Sequence, residues 1–123
     1  MAEAAFTMPW GAQWLGGGHA AFALWAPAAS AASVLLEGSR RVAMADCGGG
    51  RWQAQAGCAP GMPYRFELTL ANGRTLSVAD PASRAQQGDV DSDSLVVDPG
   101  EYRWQHPEWL GRPWYEAVVY ELH

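Results

Sequence analysis

Lysine is absent from this sequence of 123 residues, and all eight basic side chains are arginines. Thirteen acidic residues outnumber them, which gives a formal net charge of -5. Proteins that hold the phosphate backbone of nucleic acids carry a dense basic patch, and the sequence contains none. The composition therefore argues against a nucleic-acid partner, whereas it is compatible with a neutral ligand such as a sugar.

Long apolar runs are also missing. No segment approaches the roughly 18 consecutive apolar residues that a membrane-spanning helix needs. The first residues, MAEAAFTMPWGAQWL, lack the basic region and apolar core of a secretory leader. We therefore expect no membrane span and place the protein in the cytoplasm.

Cysteine and histidine are too few and too scattered to indicate a metal site. Neither Cys47 nor Cys58 has a partner at metal-ligand spacing, and His19, His106 and His123 are isolated from one another. We predict no metal and no cofactor, with both cysteines free. A single bridge between them is the alternative for a secreted protein.

Alternating apolar and polar residues at 64–70 predict a strand with one buried face. A second alternating stretch follows Asn72-Gly73, and the register of the hairpin depends on the loop. A two-residue turn would place the apolar residues of one strand opposite polar residues of the other. A three-residue loop, 71–73, with Gly73 in the left-handed conformation, instead pairs Leu68 with Leu76 and Phe66 with Val78.

Short strands separated by glycine and proline turns, with no helical period, predict an all-β fold. We predict an immunoglobulin-like antiparallel β-sandwich of the E-set type with about seven to eight strands, one of them spanning 40–46 and the last 94–98. The final segment is almost continuously apolar, which is typical of a strand buried on both faces of a parallel sheet. The predicted organisation is an irregular lead-in (1–18), the sandwich (19–104), a Trp- and Pro-rich connector (105–116) and the start of a strand of a further domain (117–123).

Seven tryptophans against three phenylalanines indicate a special use of indoles. An exposed indole can stack on the apolar face of a pyranose ring, so Trp52 with Gln53 and Gln55 is the candidate α-glucan site. The alternative for Trp25 and Trp52 is burial, because both lie in alternating strands. The candidates for a domain interface are Trp104, Trp109, Trp114 and Tyr120.

The acidic cluster Asp89, Asp91 and Asp93 is the place to look for carboxylate chemistry. Glycosidic cleavage needs two carboxylates flanking the scissile bond, and this polar stretch has no apolar frame to raise one pKa. A calcium loop of this spacing needs glycine where Ser94 stands and glutamate where Gly100 stands. The cluster is predicted to be a solvated loop.

Six motifs occur in the order and spacing of one family. They are FALWAPAA (22–29), PGMPYRF (60–66), DPASR (80–84), SLVVDP (94–99), WLGRPW (109–114) and AVVYELH (117–123). Together they resemble the N-terminal part of bacterial malto-oligosyltrehalose trehalohydrolases, members of the α-amylase class of glycoside hydrolases. The first two motifs are also similar to pieces of glycogen branching and debranching enzymes. One departure is Ala85-Gln86-Gln87, where the family often has Phe-Gln-Pro.

The resemblance implies an immunoglobulin-like domain, related to family 48 carbohydrate-binding modules, before a (β/α)₈ barrel whose first strand begins at 117–123. The family cleaves the α-1,4 bond next to the trehalose unit of malto-oligosyl trehalose with carboxylates on that barrel. The expected function is therefore a non-catalytic domain that supports the barrel; the alternative is an α-glucan-binding module of a branching or debranching enzyme. Without the barrel, we expect either self-association through the apolar C-terminal segment or folding of this segment back over the sandwich.

Overall fold

The computed structural model of the protein describes residues 8–123, and it confirms the predicted all-β class. The described residues form nine strands and two short 3₁₀ turns, Pro99–Glu101 and Trp114–Glu116. Among them, no helix has the length and apolar character needed to cross a bilayer. The strands are β1 (Gly11–Gly16), β2 (His19–Trp25), β3 (Ala29–Leu36), β4 (Arg40–Ala43), β5 (Ala45–Asp46), β6 (Arg51–Gly57), β7 (Pro63–Leu70), β8 (Thr75–Val78) and β9 (Ser94–Leu95).

Two antiparallel sheets form the sandwich. The four-stranded sheet has the order β1-β2-β6-β5. The five-stranded sheet has the order β4-β3-β7-β8, with β9 pairing with the start of β7. One face of each sheet is apolar because alternate residues of a strand point to the same side. The largest fully buried side chains of the core are Tyr64, Phe22, Phe66, Leu36, Val34 and Val96.

The β7–β8 hairpin has the predicted register. Leu68 lies opposite Leu76, and Phe66 lies opposite Val78. Gly73 has a φ of +79° and donates its N–H to the carbonyl of Leu70 at 2.9 Å. The three-residue loop therefore keeps the apolar residues of both strands on the core side.

The predicted irregular lead-in over 1–18 is wrong for its second half, because β1 is an edge strand of the four-stranded sheet. Residues 1–7 lie outside the described part. Gly17 and Gly18 both have positive φ values, 59° and 79°, and form the two-residue turn that joins β1 to β2. Two glycines adopt this turn with little strain, so the glycine run is a hairpin signal and the sandwich begins before residue 19.

The strand predicted over 40–46 divides between the two sheets. β4 pairs with β3 in one sheet, and β5 pairs with β6 in the other. Met44 stands at the crossing, buried, and donates its backbone N–H to the carbonyl of Ala32 at 2.9 Å. This division and β1 raise the strand count to nine.

The last predicted strand, 94–98, is shorter in the structure. Only Ser94 and Leu95 pair, and Asp98 instead accepts a hydrogen bond from the Gly100 N–H at 2.8 Å, which caps the first 3₁₀ turn. From residue 101 to residue 123 every side chain is exposed. The connector (105–116) and the barrel strand (117–123) stay predictions, since segment 117–123 pairs with no described strand.

Candidate functional site

The outer face of the four-stranded sheet carries a shallow hollow with a floor of small residues. Ala21 lies opposite Gln55 across β2 and β6, and Ala23 lies opposite Gln53. Alternation turns these residues away from the core. The hollow has a volume of about 450 Å³ and extends past Gln13 of β1. Amide side chains therefore border a small apolar floor, in which Ala21 is partly exposed and Ala23 is buried.

Arg51 orders one side of this hollow. Its guanidinium lies over the Trp10 ring, 4.5 Å from the centroid, and donates to the Pro9 carbonyl at 3.2 Å. A guanidinium can only donate, so the Gln53 amide is oriented with its oxygen towards Arg51. In this orientation Gln53 Oε1 accepts from Arg51 Nη2 at 2.7 Å and from Nε at 2.8 Å. Gln53 is thus held in place, and its NH₂ group lies 3.4 Å from Cys47 Sγ.

Trp25 stands beside Arg51 at the end of β2, and its side chain is 61% exposed. Its indole Nε1 donates to the Gly49 carbonyl at 3.1 Å, which fixes the direction of the ring. A second hollow of about 230 Å³ lies between Trp25 and Trp10, above Pro81 and Ala82. The sequence indicated no ligand role for Trp10, and burial was the alternative for Trp25. Alternation with the buried Phe22 and Leu24, which turns Trp25 to the outer face, was the available signal.

The prediction of Trp52 as a stacking platform is wrong. Its side chain is only 6% exposed and belongs to the core, where Nε1 donates to the Ala26 carbonyl at 3.1 Å. Strand alternation puts Trp52 on the inner face and its neighbours Gln53 and Gln55 on the outer face. The two glutamines are therefore exposed in the hollow, whereas the indole between them cannot reach a ligand.

The four aromatic candidates for a domain interface are all exposed in the structure. Trp104 also packs edge-on against Tyr102, with ring centroids 4.9 Å apart. Large exposed apolar patches mark interaction sites, which favours a role at a domain interface. That role stays a prediction. The exposed fractions are 74% for Trp104, 68% for Trp109, 82% for Trp114 and 82% for Tyr120.

The PGMPYRF and DPASR motifs meet in a buried polar network. Tyr64 donates its hydroxyl to Asp80 Oδ2 at 2.5 Å, and Asp80 Oδ1 accepts from the Ala82 N–H at 2.8 Å. The Asp80 N–H in turn donates to Ser94 Oγ at 3.2 Å. Burial raises the pKa of Asp80 and of Tyr64 above their usual values. No polar role was assigned to these residues from the sequence, and the network connects the loop after β8 to the core.

Arg84 extends the network to β1. Its guanidinium donates to the Ala12 carbonyl at 2.6 Å and to the Met8 carbonyl at 3.4 Å. Gly11 lies directly beside it: a Cβ at this position would stand 2.9 Å from Arg84 Nη1 and 2.9 Å from Asp80 Oδ2. The DPASR motif therefore positions the strand that borders the hollow.

The acidic loop is held by an arginine. Arg65 Nη1 donates to the Asp91 carbonyl at 2.8 Å and to Asp93 Oδ1 at 3.0 Å. One of the three carboxylates is thus already paired with a cation.

In the part of the chain that the structure describes, no three His, Cys, Asp or Glu side chains are grouped to hold a metal ion. Cys47 and Cys58 are free.

Comparisons with known proteins show which enzymes contain a region similar to this chain. No family profile matches the chain. It is 34% identical over 117 residues to a 1,4-α-glucan branching enzyme of Ralstonia nicotianae, covering 83% of this chain and 15% of that protein. It is 33% identical over 110 residues to a malto-oligosyltrehalose trehalohydrolase of a Rhizobium species, covering 86% of this chain and 18% of that protein.

Solved structures give the same result. The crystal structure of a Salmonella typhimurium protein described as a putative alpha amylase superposes with a TM-score of 0.76 and 40% identity. The match covers 96% of this chain and 20% of that chain. A pullulanase from Bacillus acidopullulyticus superposes with a TM-score of 0.64 and 28% identity, covering 72% of this chain and 12% of that chain.

These matches define a β-sandwich homologous to the N-terminal regions of α-amylase-class enzymes. Within that class, the chain is similar to malto-oligosyltrehalose trehalohydrolases and to 1,4-α-glucan branching enzymes over nearly the same extent. The resemblance predicted from the six motifs is confirmed. The chain spans less than a fifth of the length of these two curated relatives, 15% and 18%.

Proposed function

We propose that this chain is a non-catalytic domain of an α-amylase-class enzyme that acts on malto-oligosyl trehalose, and that it supports a catalytic barrel. The observation that carries the proposal is the 33% identity to a malto-oligosyltrehalose trehalohydrolase over 86% of this chain, which spans 18% of that protein. The exposed aromatic residues at 104–120 are the surface offered to the barrel.

The chemistry of the described residues supports a non-catalytic role. The only buried carboxylate of the described part, Asp80, accepts hydrogen bonds from the Tyr64 hydroxyl and the Ala82 N–H. It borders the small hollow between Trp10 and Trp25, where no second carboxylate of the described part lies. A retaining glycosidase needs two carboxyl groups about 5 Å apart on either side of the bond, and an inverting one needs a wider pair. Asp93 is paired with Arg65 at the surface instead.

The test is direct. The purified chain, incubated with malto-oligosyl trehalose, is expected to release no trehalose, since residues 8–123 present neither carboxylate arrangement on a cleft. A trehalohydrolase in the same buffer serves as the positive control, and released trehalose is measured by chromatography. Turnover by the chain that scales with its concentration and survives repurification would refute the proposal.

A second candidate function is direct binding of α-glucan on the outer face of the four-stranded sheet. The observation favouring it is the hollow in which Gln53 and Gln55 border a floor of alanines. Amides can donate to and accept from sugar hydroxyls, and a small floor lets a ring approach the sheet.

Calorimetric titration with maltoheptaose tests this second function. Gln55→Ala should weaken binding about two- to tenfold, the range that corresponds to a hydrogen bond of about 0.5 to 1.5 kcal/mol. Gln87→Ala is the matched control, because Gln87 is an exposed glutamine on the loop after β8, outside the hollow. Equal affinities for both variants and the unaltered chain would remove Gln55 from the site.

A further inference from the structure

Four outer strands end the two sheets, and an outer strand can accept a further strand through its free backbone N–H and C=O groups. Three of these edges are protected in residues 8–123. β5 is only two residues long, and β4 begins with two adjacent arginines, whose charges oppose pairing with another strand. In β1, Arg84 already donates to the Ala12 carbonyl at 2.6 Å, and the register with β2 shifts after Trp14.

The fourth outer strand, β8, directs free backbone groups away from the sheet. The Leu70 N–H donates to the Arg74 carbonyl at 2.8 Å, so these residues form a hydrogen-bonded pair at the start of the β7–β8 ladder. Hydrogen-bonded and non-hydrogen-bonded pairs alternate along an antiparallel ladder. Thr75 and Ser77 belong to the non-hydrogen-bonded pairs. Their backbone N–H and C=O groups therefore point away from β7, towards the open side of the sheet.

This edge has none of the protections of the other three. Among residues 8–123, no group donates to or accepts from the backbone of Thr75 or Ser77, and both residues are exposed. β8 contains no charged residue, no proline and no bulge. The continuation of the same edge at β9 is covered instead, because the Leu95 N–H donates to the Ala85 carbonyl at 2.8 Å. β8 is thus the one unprotected edge of the described sheets.

The sequence of β8, TLSV, suits antiparallel pairing with a second β8. A two-fold axis at Leu76 places this leucine opposite the same leucine of a second copy, and Thr75 opposite Ser77 of that copy. The free backbone groups of Thr75 and Ser77 then form reciprocal hydrogen bonds, and the hydroxyl side chains meet on the outer face. Leu76 and Val78 are only half-buried in one chain, and a second strand covers their exposed parts.

We propose that β8 is a docking edge, and that its partner is the β8 strand of a second copy of this chain. The two five-stranded sheets then form one continuous antiparallel sheet across the two-fold axis. Because the other described edges are protected, β8 is also the edge of the second copy that is free to pair. Four residues a side bury less than the roughly 1,200 Å² of a stable interface, so the dimer is weak and forms at high protein concentration.

The first test is Ser77→Pro, measured by sedimentation velocity over a dilution series. Proline removes an N–H that no hydrogen bond within the chain uses, so the fold should persist while the dimer loses one donor from each copy. The dissociation constant of the dimer should rise about tenfold or more. Ser77→Ala is the matched control: it also removes the hydroxyl that accepts from Arg65 Nε, but it keeps the N–H and should dimerise like the unaltered chain.

The second test checks the register by disulfide cross-linking, with Cys47→Ser in every variant because Cys47 is exposed. Leu76→Cys should cross-link, since the two Cα atoms of a non-hydrogen-bonded pair are about 4.5 Å apart, within disulfide range. Val78→Cys is the matched control. In this register it lies about 13 Å along the strand from its counterpart, so its dimer should form about tenfold more slowly or not at all.

Circular dichroism verifies that each variant folds, and the cysteine pair decides if Ser77→Pro does not. Association that Ser77→Pro leaves unchanged, or equal cross-linking at positions 76 and 78, would overturn the proposal. Dimers that Trp109→Ala removes and Ser77→Pro does not would assign the contact to the C-terminal segment instead. An unaltered chain that stays monomeric at its highest soluble concentration would also refute the docking edge.

Discussion

Replacing Gly11 by alanine is expected to destabilise the domain by about 2 to 5 kcal/mol. Gly11 has a φ of +80°, a conformation that strains any residue with a Cβ. An added Cβ would also stand 2.8 Å from the Ala82 carbonyl oxygen and 2.9 Å from Asp80 Oδ2. Overpacking of a filled site costs about 1 to 3 kcal/mol, and these neighbours belong to a hydrogen-bonded network that cannot shift freely. Urea denaturation followed by circular dichroism measures the loss.

Gly61→Ala is the matched control for this prediction. Gly61 has nearly the same φ, +83°, but a Cβ there meets nothing within 4 Å. It should therefore cost only the backbone strain, about 1 kcal/mol. A Gly11→Ala variant as stable as Gly61→Ala would show that β1 can move away from the loop at 80–84 without loss.

Tyr64→Phe is expected to lower the free energy of unfolding by about 1 to 3 kcal/mol at neutral pH. The ring keeps its edge-on contacts with Phe22 and Phe66, at centroid distances of 5.1 Å and 5.9 Å. The variant removes only the hydroxyl, which leaves the buried Asp80 carboxylate without its shortest hydrogen bond. Chemical denaturation at several pH values measures the effect.

The loss should depend on pH in a defined direction. Burial raises the pKa of Asp80, and the hydrogen bond from Tyr64 opposes that rise. Removing the hydroxyl therefore raises the folded-state pKa further, because the ionised form loses a donor. The stability difference between the two proteins is fully present above both folded-state pKa values and shrinks as the pH falls through them.

Tyr102→Phe removes the same hydroxyl from an exposed ring, so it should leave stability within about 0.5 kcal/mol of the unaltered chain at every pH. Each protein alone should also lose some stability as the pH rises past the unfolded-state pKa of Asp80, since its folded-state pKa is raised. A difference between Tyr64→Phe and the unaltered chain that does not change with pH would exclude Asp80 as the partner that is affected.

The sequence predicted those parts of the fold that depend on local patterns. The β7–β8 register followed from alternation and from one glycine, because a one-residue slip would expose an entire apolar face. The all-β class followed from short alternating strands, and the relatives followed from six short motifs distributed between residues 22 and 123. These features are encoded within a few residues of one another, so no long-range contact was needed to infer them.

The parts that were missed depend on contacts distant in sequence. The crossing at Met44 depends on Ala32, and the exposure of Trp25 depends on what covers each sheet. The buried network joins Tyr64, Asp80 and Ser94 over some thirty residues, and nothing local identifies a tyrosine hydroxyl as a partner of a particular aspartate. The error at Trp52 was different: alternation puts Trp52 and the two glutamines on opposite faces of the strand, so the three residues cannot share one exposed site.

The division of segment 40–46 between the sheets has a mechanical consequence. One uninterrupted piece of backbone is hydrogen-bonded into both layers within seven residues, with a buried methionine at the crossing. Sliding one sheet over the other would break the backbone hydrogen bonds of this segment in both sheets. Segment 40–46 therefore resists such a movement. The two sheets are therefore expected to move as one body instead of sliding past each other.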